Sequence, residues 1–175
     1  MFSVILKPAE WDAASSLGAK REALRLARGR GQDFDKTDGG GSMVKRNAIG
    51  AVAEYALARH YSLQRLWCET QAFSEEHWKI TADVGHGIQV RATDRSTGRL
   101  WGYTYDKGDD QAYVLARVDA TRRTVSFIGW MYGRDIKSPQ YWDLMKWSRP
   151  AFTPPVEVLT DMALLPEALI YGPAA

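Results

Sequence analysis

The sequence predicts an α+β protein with a mixed, largely antiparallel central sheet flanked by helices. Two observations carry this. The first sixty residues hold two stretches in which alanine and leucine recur at helical spacing, whereas residues 65 to 130 break into short β-branched and aromatic runs. The runs are separated by connections rich in Gly, Asp and Thr, as in a meander. At 175 residues, 45% hydrophobic and 25% charged, the chain is most simply one folded domain with a sizeable core.

Residues 8 to 29 read as the first helix, with Leu17, Leu24 and Leu26 among alanines and charges, ended by Gly29-Arg30-Gly31. Residues 30 to 43, rich in Gly and Asp, have little to bury and suit a linker or a flap over a substrate. The chain therefore divides into 1–44, a helix plus a flexible loop, and 45–175, a core with a wrapping tail, within one compact domain. Asn47 is placed to cap a second helix from Ala48 to about Tyr61. Between Ala48 and Ala58 every residue except Glu54 and Tyr55 is small or apolar, the composition of a buried helix. A carboxylate there is costly unless a cation, a metal or a hydrogen-bond donor meets it. Glu54 is thus either a member of a functional site or the partner of an arginine or backbone amide at the helix edge.

Strands are expected at Arg65–Gln71, Trp78–Val84, Ile88–Thr93, Leu100–Tyr105, Ala112–Val118 and Thr124–Trp130. Ser138-Pro139 suggests the start of a short closing helix to about Trp147. The tail, with Pro150, Pro154, Pro155 and Pro166, is expected to be extended or turn-like and to wrap the body.

The stretch from Thr81 to Ala92 is the most informative. If Gly85-His86-Gly87 is a three-residue hairpin loop, Asp83 lies opposite Gln89 and Thr81 opposite Arg91. Asp83, Gln89 and Arg91 then share one face, and Ile88, Val90 and Ala92 line the other. A carboxylate, an amide oxygen and a fixed cation together suit a divalent metal and a phosphate.

The order Glu54 on a helix, Asp83 at a strand end and Gln89-Val90-Arg91 on the next strand resembles the PD-(D/E)XK nuclease superfamily. Its fold is restriction-endonuclease-like. The likeness extends to small phage and prophage proteins with a GxxxE helix (Gly50 to Glu54) and an Asp-Val-Gly…(Glu/Gln)-Val-Arg hairpin. These also carry a Gly-Trp…Gly-x-Asp-x-Lys segment, matched by Gly129 to Lys137. It covers about residues 45 to 160. The resemblance implies a nuclease that hydrolyses phosphodiester bonds in nucleic acid, DNA first, with Mg²⁺ or Mn²⁺ as cofactor. Asp83 would be the main ligand, joined by the Gln89 side-chain oxygen and the Val90 carbonyl. Glu54 would bind the same ion, a second ion or a metal-bound water, and Arg91 would orient the water or neutralise the transition state. Many such enzymes form homodimers. The chain departs from the pattern in two places. Gln89 replaces an acid, which weakens attraction for a metal, and Arg91 replaces a lysine and cannot serve as a base. The alternative is a nuclease-fold protein that binds nucleic acid or a protein partner without cutting.

A net charge of +2 requires nucleic-acid contacts to come from a local patch. Lys20, Arg21, Arg25, Arg28, Arg30, Lys45 and Arg46 offer one, though they read equally as solvated helix faces. His86 and Thr93 are further candidates for contact with substrate, and His86 also suits an ordinary surface turn. Trp101 and Tyr103, on alternate positions, could stack bases, whereas Trp130 and Trp142 suit core packing. Asp106, Asp109 and Asp110 suit a solvated turn or a second cation site. No Gly-x-Ser-x-Gly elbow, phosphate-binding loop or zinc-ligand spacing occurs. A single Cys68, no membrane-length apolar run and no signal-peptide pattern lead to the expectation of a cytoplasmic protein without membrane association.

Overall fold

The computed structural model describes residues 1–27, 43–65, 67, 82–106, 108–143 and 151–173. The chain enters as strand β1 (Phe2–Ile5), then helix α1 (Pro8–Ala27). Pro8 presets the first helical position, and the Glu10 carboxylate accepts the Lys7 N–H at 2.8 Å. Helix α2 (Met43–His60) follows, starting five residues before the expected first residue, Ala48. Its first turn, Met-Val-Lys-Arg, contains no helix breaker, so α2 extends past Asn47 into that turn. It ends in a Schellman motif. Ser62 takes φ 60°, its N–H reaches the Arg59 carbonyl, and the Leu63 N–H reaches that of Ala58.

Four strands form a mixed, mostly antiparallel sheet, so the fold is α+β. Strands β2 (Ile88–Thr93), β3 (Ala112–Asp119) and β4 (Thr124–Tyr132) join β1 in the order β1-β4-β3-β2. Pairing is antiparallel for β1–β4 and β4–β3 and parallel for β3–β2. The expected meander is corrected at that last pair. Residues 94–111 cross over and return the chain in the same direction, so Leu100–Tyr105 is no sheet strand. Among the described residues its one β-bridge is that of Gly102 with Phe152. The Asp106 carboxylate accepts the Tyr103 N–H and turns the chain away before a ladder can form.

Three more expectations are corrected. Gln64, Arg65 and Trp67 are helical, since the Trp67 N–H bonds to the Leu63 carbonyl; the rest of the Arg65–Gln71 strand lies outside the described residues. In Trp78–Val84, Val84 forms one antiparallel bridge with Ile88, Asp83 is a bend, and residues 78–81 are outside the described set. In place of a helix after Ser138, a single 3-10 turn at Pro139–Tyr141 runs into β5 (Trp142–Asp143). It pairs with β6 (Ala151–Phe152), and the Tyr141 carbonyl accepts the Thr153 N–H. Trp142 is consequently exposed and not a core residue, whereas Trp130 is buried as expected. Helix α3 (Gly133–Ile136) and helix α4 (Glu167–Tyr171) were not expected, and neither was β1.

The two faces of the sheet bury separate clusters. On one, Ala51, Val52, Ala56 and Leu57 of α2 pack over Ile88, Val90, Val114, Ala116 and Phe127. On the other, Tyr113, Leu115 and Met131 meet Leu100, Ile136 and Phe152. The tail does wrap the body. Thr160 pairs with Trp130, and the Leu169 carbonyl accepts the N–H groups of His86 and Gly87. Helices α1 and α2 touch backbone to backbone at Gly18, where a Cβ would lie 2.4 Å from the Asn47 carbonyl oxygen.

Gly18→Ala therefore tests this crossing. Helix propensity alone favours alanine by about 1 kcal/mol. The clash reverses the sign, and denaturant unfolding of the variant should show a loss of about 1–3 kcal/mol. An unchanged or raised midpoint would contradict the close approach.

Candidate active site

The small residues of α2 let it lie flat on the sheet and carry Glu54 into the interior, where it is the one buried polar or charged residue among those described (6% exposed). Its charge is met by α1. Arg21 donates from Nη1 to Oε1 at 2.9 Å and from Nη2 to Oε2 at 2.7 Å, a bidentate fork, and the Trp67 indole N–H adds a bond to Oε2 at 3.3 Å. Sequence reading placed Arg21 in a surface basic patch. The 33-residue separation hid its partner, and the only signal was that a carboxylate on an apolar helix needs a cation.

Asp83 sits just before the hairpin, which bridges at Val84 and Ile88. The expected Asp83–Gln89 pair does not form, because the Asp83 N–H bonds to the Ile88 carbonyl, and Thr81 lies outside the described residues. Glycine is required at the hairpin tip. Gly85 has φ 62°, and a Cβ would lie 2.5 Å from the Ile170 carbonyl oxygen. Among the described residues β2 is an edge strand, and the Asp83 carboxylate accepts the Val90 N–H at 2.8 Å, so that group is not left bare. Burial pushes the Asp83 carboxyl up from 3.8 to about 7, and Glu54 adds to the rise. Arg91, the Val90 N–H and Arg21 pull the other way without prevailing.

Alternation along β2 is as expected. Ile88 and Val90 face the helices, and Gln89 and Arg91 face the opposite side. Arg91 is held by Asp106 at 3.2 Å and lies over the Tyr113 ring, 4.9 Å from its centroid. Burial opposes its charge, but Asp83 and Asp106 more than offset that and hold the guanidinium above its ordinary value. Tyr113 is pushed up to about 12, by burial first and Asp106 second, so it stays a neutral phenol. Gln89 donates from Nε2 to the Gln111 Oε1 at 3.0 Å.

Glu54, Asp83 and Arg91 are therefore brought into one electrostatic cluster, with Gln89 beside it on β2. It gains two members that the sequence did not disclose in these roles, Arg21 and Asp106. The other candidates are more peripheral. Lys45 pairs with Asp94 at 2.7 Å, His86 is exposed at the hairpin tip, and the Thr93 hydroxyl accepts the Arg95 N–H. Arg46 lies one residue along the first turns of α2. Arg28 and Arg30 are outside the described residues.

Among the described residues three carboxylates face two guanidiniums, and the proton that Asp83 retains near neutrality offsets the surplus negative charge. The same surplus would be relieved by a hard cation. Asp83, the Gln89 amide oxygen and the Val90 carbonyl form an oxygen donor set of the kind Mg²⁺ accepts. These residues fit the ion, on the condition that Arg21 releases an oxygen before Glu54 can join. Among the described residues no three His, Cys, Asp or Glu side chains converge. No described helix is long and apolar enough to cross a membrane.

Two outcomes test the cluster. Asp83 is bound to a proton more tightly when folded than when unfolded. Its contribution to stability is thus complete below pH 4 and is lost as pH rises to about 7. Asp83→Asn keeps an acceptor for Val90, and its melting temperature should match the parent at pH 4 and exceed it increasingly up to pH 7. The gain there should be on the order of 2–4 kcal/mol, level above that pH. Arg21→Met strands Glu54 and should cost about 3–5 kcal/mol, most of which Arg21→Met with Glu54→Leu recovers. A double variant no more stable than the single one would remove the pair from the core.

Comparison of the chain with known proteins found no matching family model, no similar curated protein and no similar solved structure.

Proposed function

We propose that the protein is a metal-dependent nuclease of the PD-(D/E)XK kind, acting in the cytoplasm on phosphodiester bonds of nucleic acid, DNA first. The observation that carries this reading is the buried Asp83 carboxyl, whose surplus charge a proton has to offset, beside Glu54 on one side and a fixed arginine on the other. A group so perturbed at a strand edge is characteristic of functional sites. Asp83, Gln89 and Val90 would hold the ion. When bound, Mg²⁺ or Mn²⁺ would supply an activated water and stabilise charge on the phosphate.

The remaining work falls to the protein's own groups. Arg91, pinned by Asp106 and Tyr113, presents a permanent positive charge to a phosphate oxygen and takes no part in proton transfer. Asp83 would have to give up its proton to hold the cation, so ion binding should strengthen as pH rises through 7. Glu54, gripped at both oxygens by Arg21, anchors the α1 side of the site.

One observation favours a second reading, a nuclease-like protein that binds without cutting. The Arg21 fork engages both oxygens of Glu54 and stands in for a cation. Calorimetry with Mn²⁺ and Mg²⁺, beside cleavage of supercoiled, linear, single-stranded and branched DNA, separates the two. For the nuclease, cutting needs metal and falls to background in Asp83→Ala and Glu54→Ala, and Gln89→Glu tightens ion binding several-fold. Retained DNA binding with neither heat of metal binding nor cutting would establish the second reading.

A further inference from the structure

The crossover between β2 and β3 carries a row of exposed side chains that the cluster does not use. From residue 99 to 103 the chain is extended and alternates, with Leu100 and Gly102 buried and Arg99 and Trp101 exposed. Both backbone groups of Gly102 are paired with Phe152, at 3.0 and 2.8 Å. A Cβ on Gly102 would lie 2.5 Å from the Ile136 side chain, so this strip is pressed onto the body and its outward row is fixed. Arg99, Trp101 and Tyr103 therefore follow one another on one side at a spacing of about 6.6 Å. The row then turns. Tyr105 stacks on Tyr103 with centroids 5.0 Å apart and planes 7° from parallel. Trp101 is 39% and Tyr105 57% exposed, a large aromatic area to leave in water.

The row ends at Asp106. Its one carboxylate fixes the turn through the Tyr103 N–H and also holds Arg91. The aromatic strip thus leads directly to the phosphate-binding arginine of the proposed site.

Charge decides the occupant. The acids of the crossover are each neutralised: Asp94 by Lys45, Asp106 by Arg91, Asp109 by Lys137 and Asp110 by Arg134. Arg95 lies in the field of Asp94, which Lys45 already pairs, and among the described residues the exposed Arg99 has no acidic partner. The exposed Trp101 ring and the stacked Tyr103–Tyr105 pair, beside Arg99, match a polyanion whose bases are unstacked and free to lie on the rings. Duplex DNA hides those faces.

We propose that residues 99 to 105 form a stacking strip for an unpaired DNA strand, which it delivers to Arg91. The substrate class of the site is then single-stranded or flapped DNA. This rests on the nuclease reading only for what happens to the strand after docking.

The test measures fluorescence anisotropy of labelled oligothymidylate and of a duplex, with the full chain in chelator, so that binding is read without cleavage. Trp101→Ala and Tyr105→Ala should each weaken oligothymidylate binding about ten-fold and leave duplex affinity unchanged. Trp101→Phe, which keeps a ring, should restore most of it and shows that the alanine variant has not merely unfolded. Arg99→Ala should lower the slope of log affinity against log salt by about 0.7. Wild-type affinity in both alanine variants, equal losses on duplex, or no oligothymidylate binding by the wild type would each overturn the strip. Cleavage with Mg²⁺ in parallel reports on the other proposal. A protein that binds through the strip without cutting refutes the nuclease alone, and one that cuts with alanine-insensitive binding refutes the strip alone.

Discussion

The buried Glu54 carboxylate is the constraint around which the rest of the molecule is arranged. Its helix must be made of small residues to lie on the sheet, and that leaves no nearby group on α2 to compensate the charge. The cation has to come from elsewhere. Helix α1 supplies it because Ala14, Gly18 and Arg21 share a face at helical spacing, and the first two are buried. Gly18 brings the two backbones together, and one turn later the Arg21 guanidinium reaches both carboxylate oxygens. A buried ion pair is weak as a source of stability, since desolvation consumes most of its Coulomb energy. Its retention in a core where leucine would pack more cheaply points to a use for the charge.

That use is visible at the edge of the sheet. Asp83 interacts with Glu54 and Arg21 of the helical side and with Arg91 on the far side of β2. It couples two faces that otherwise have separate cores. An edge strand makes this possible, because its outer N–H at Val90 can bond to a side chain instead of a neighbouring strand. Were β2 interior, a carboxylate could not lie beside it. The parallel crossover that leaves β2 at the edge therefore also positions the site.

The parts of this arrangement set by local pattern were legible in the sequence. The apolar run around Glu54, the Gly-His-Gly tip and the alternation of Gln89 and Arg91 with Ile88 and Val90 all follow from spacing alone. The parts set by distant partners were not. The alternation at Leu100–Tyr105 is real, yet its inner residues cover the second core and do not enter the sheet, a choice made by Phe152 and by the Asp106 turn. Ser138-Pro139 resembles a helix start, but pairing of Trp142 with Phe152 pulls the chain extended after one turn. Arg21 and Asp106 look like ordinary surface charges until the fold places them beside Glu54 and Arg91.

The balance of charge links the two proposals. With three carboxylates around two guanidiniums, a phosphate approaching Arg91 meets net repulsion until a proton or a cation has quenched Asp83. On the two proposals, strand binding at Arg91 and ion binding at Asp83 would therefore reinforce each other, each to the same degree. Without metal, a strand gains little from Arg91 and has to be held by the aromatic strip, whose own acids are already paired. The strip is thus the part of the surface that can hold DNA before the site is charged. Asp106 ties the strip to Arg91, so on this proposal a strand seated on the rings would pass close to the arginine before any ion is bound.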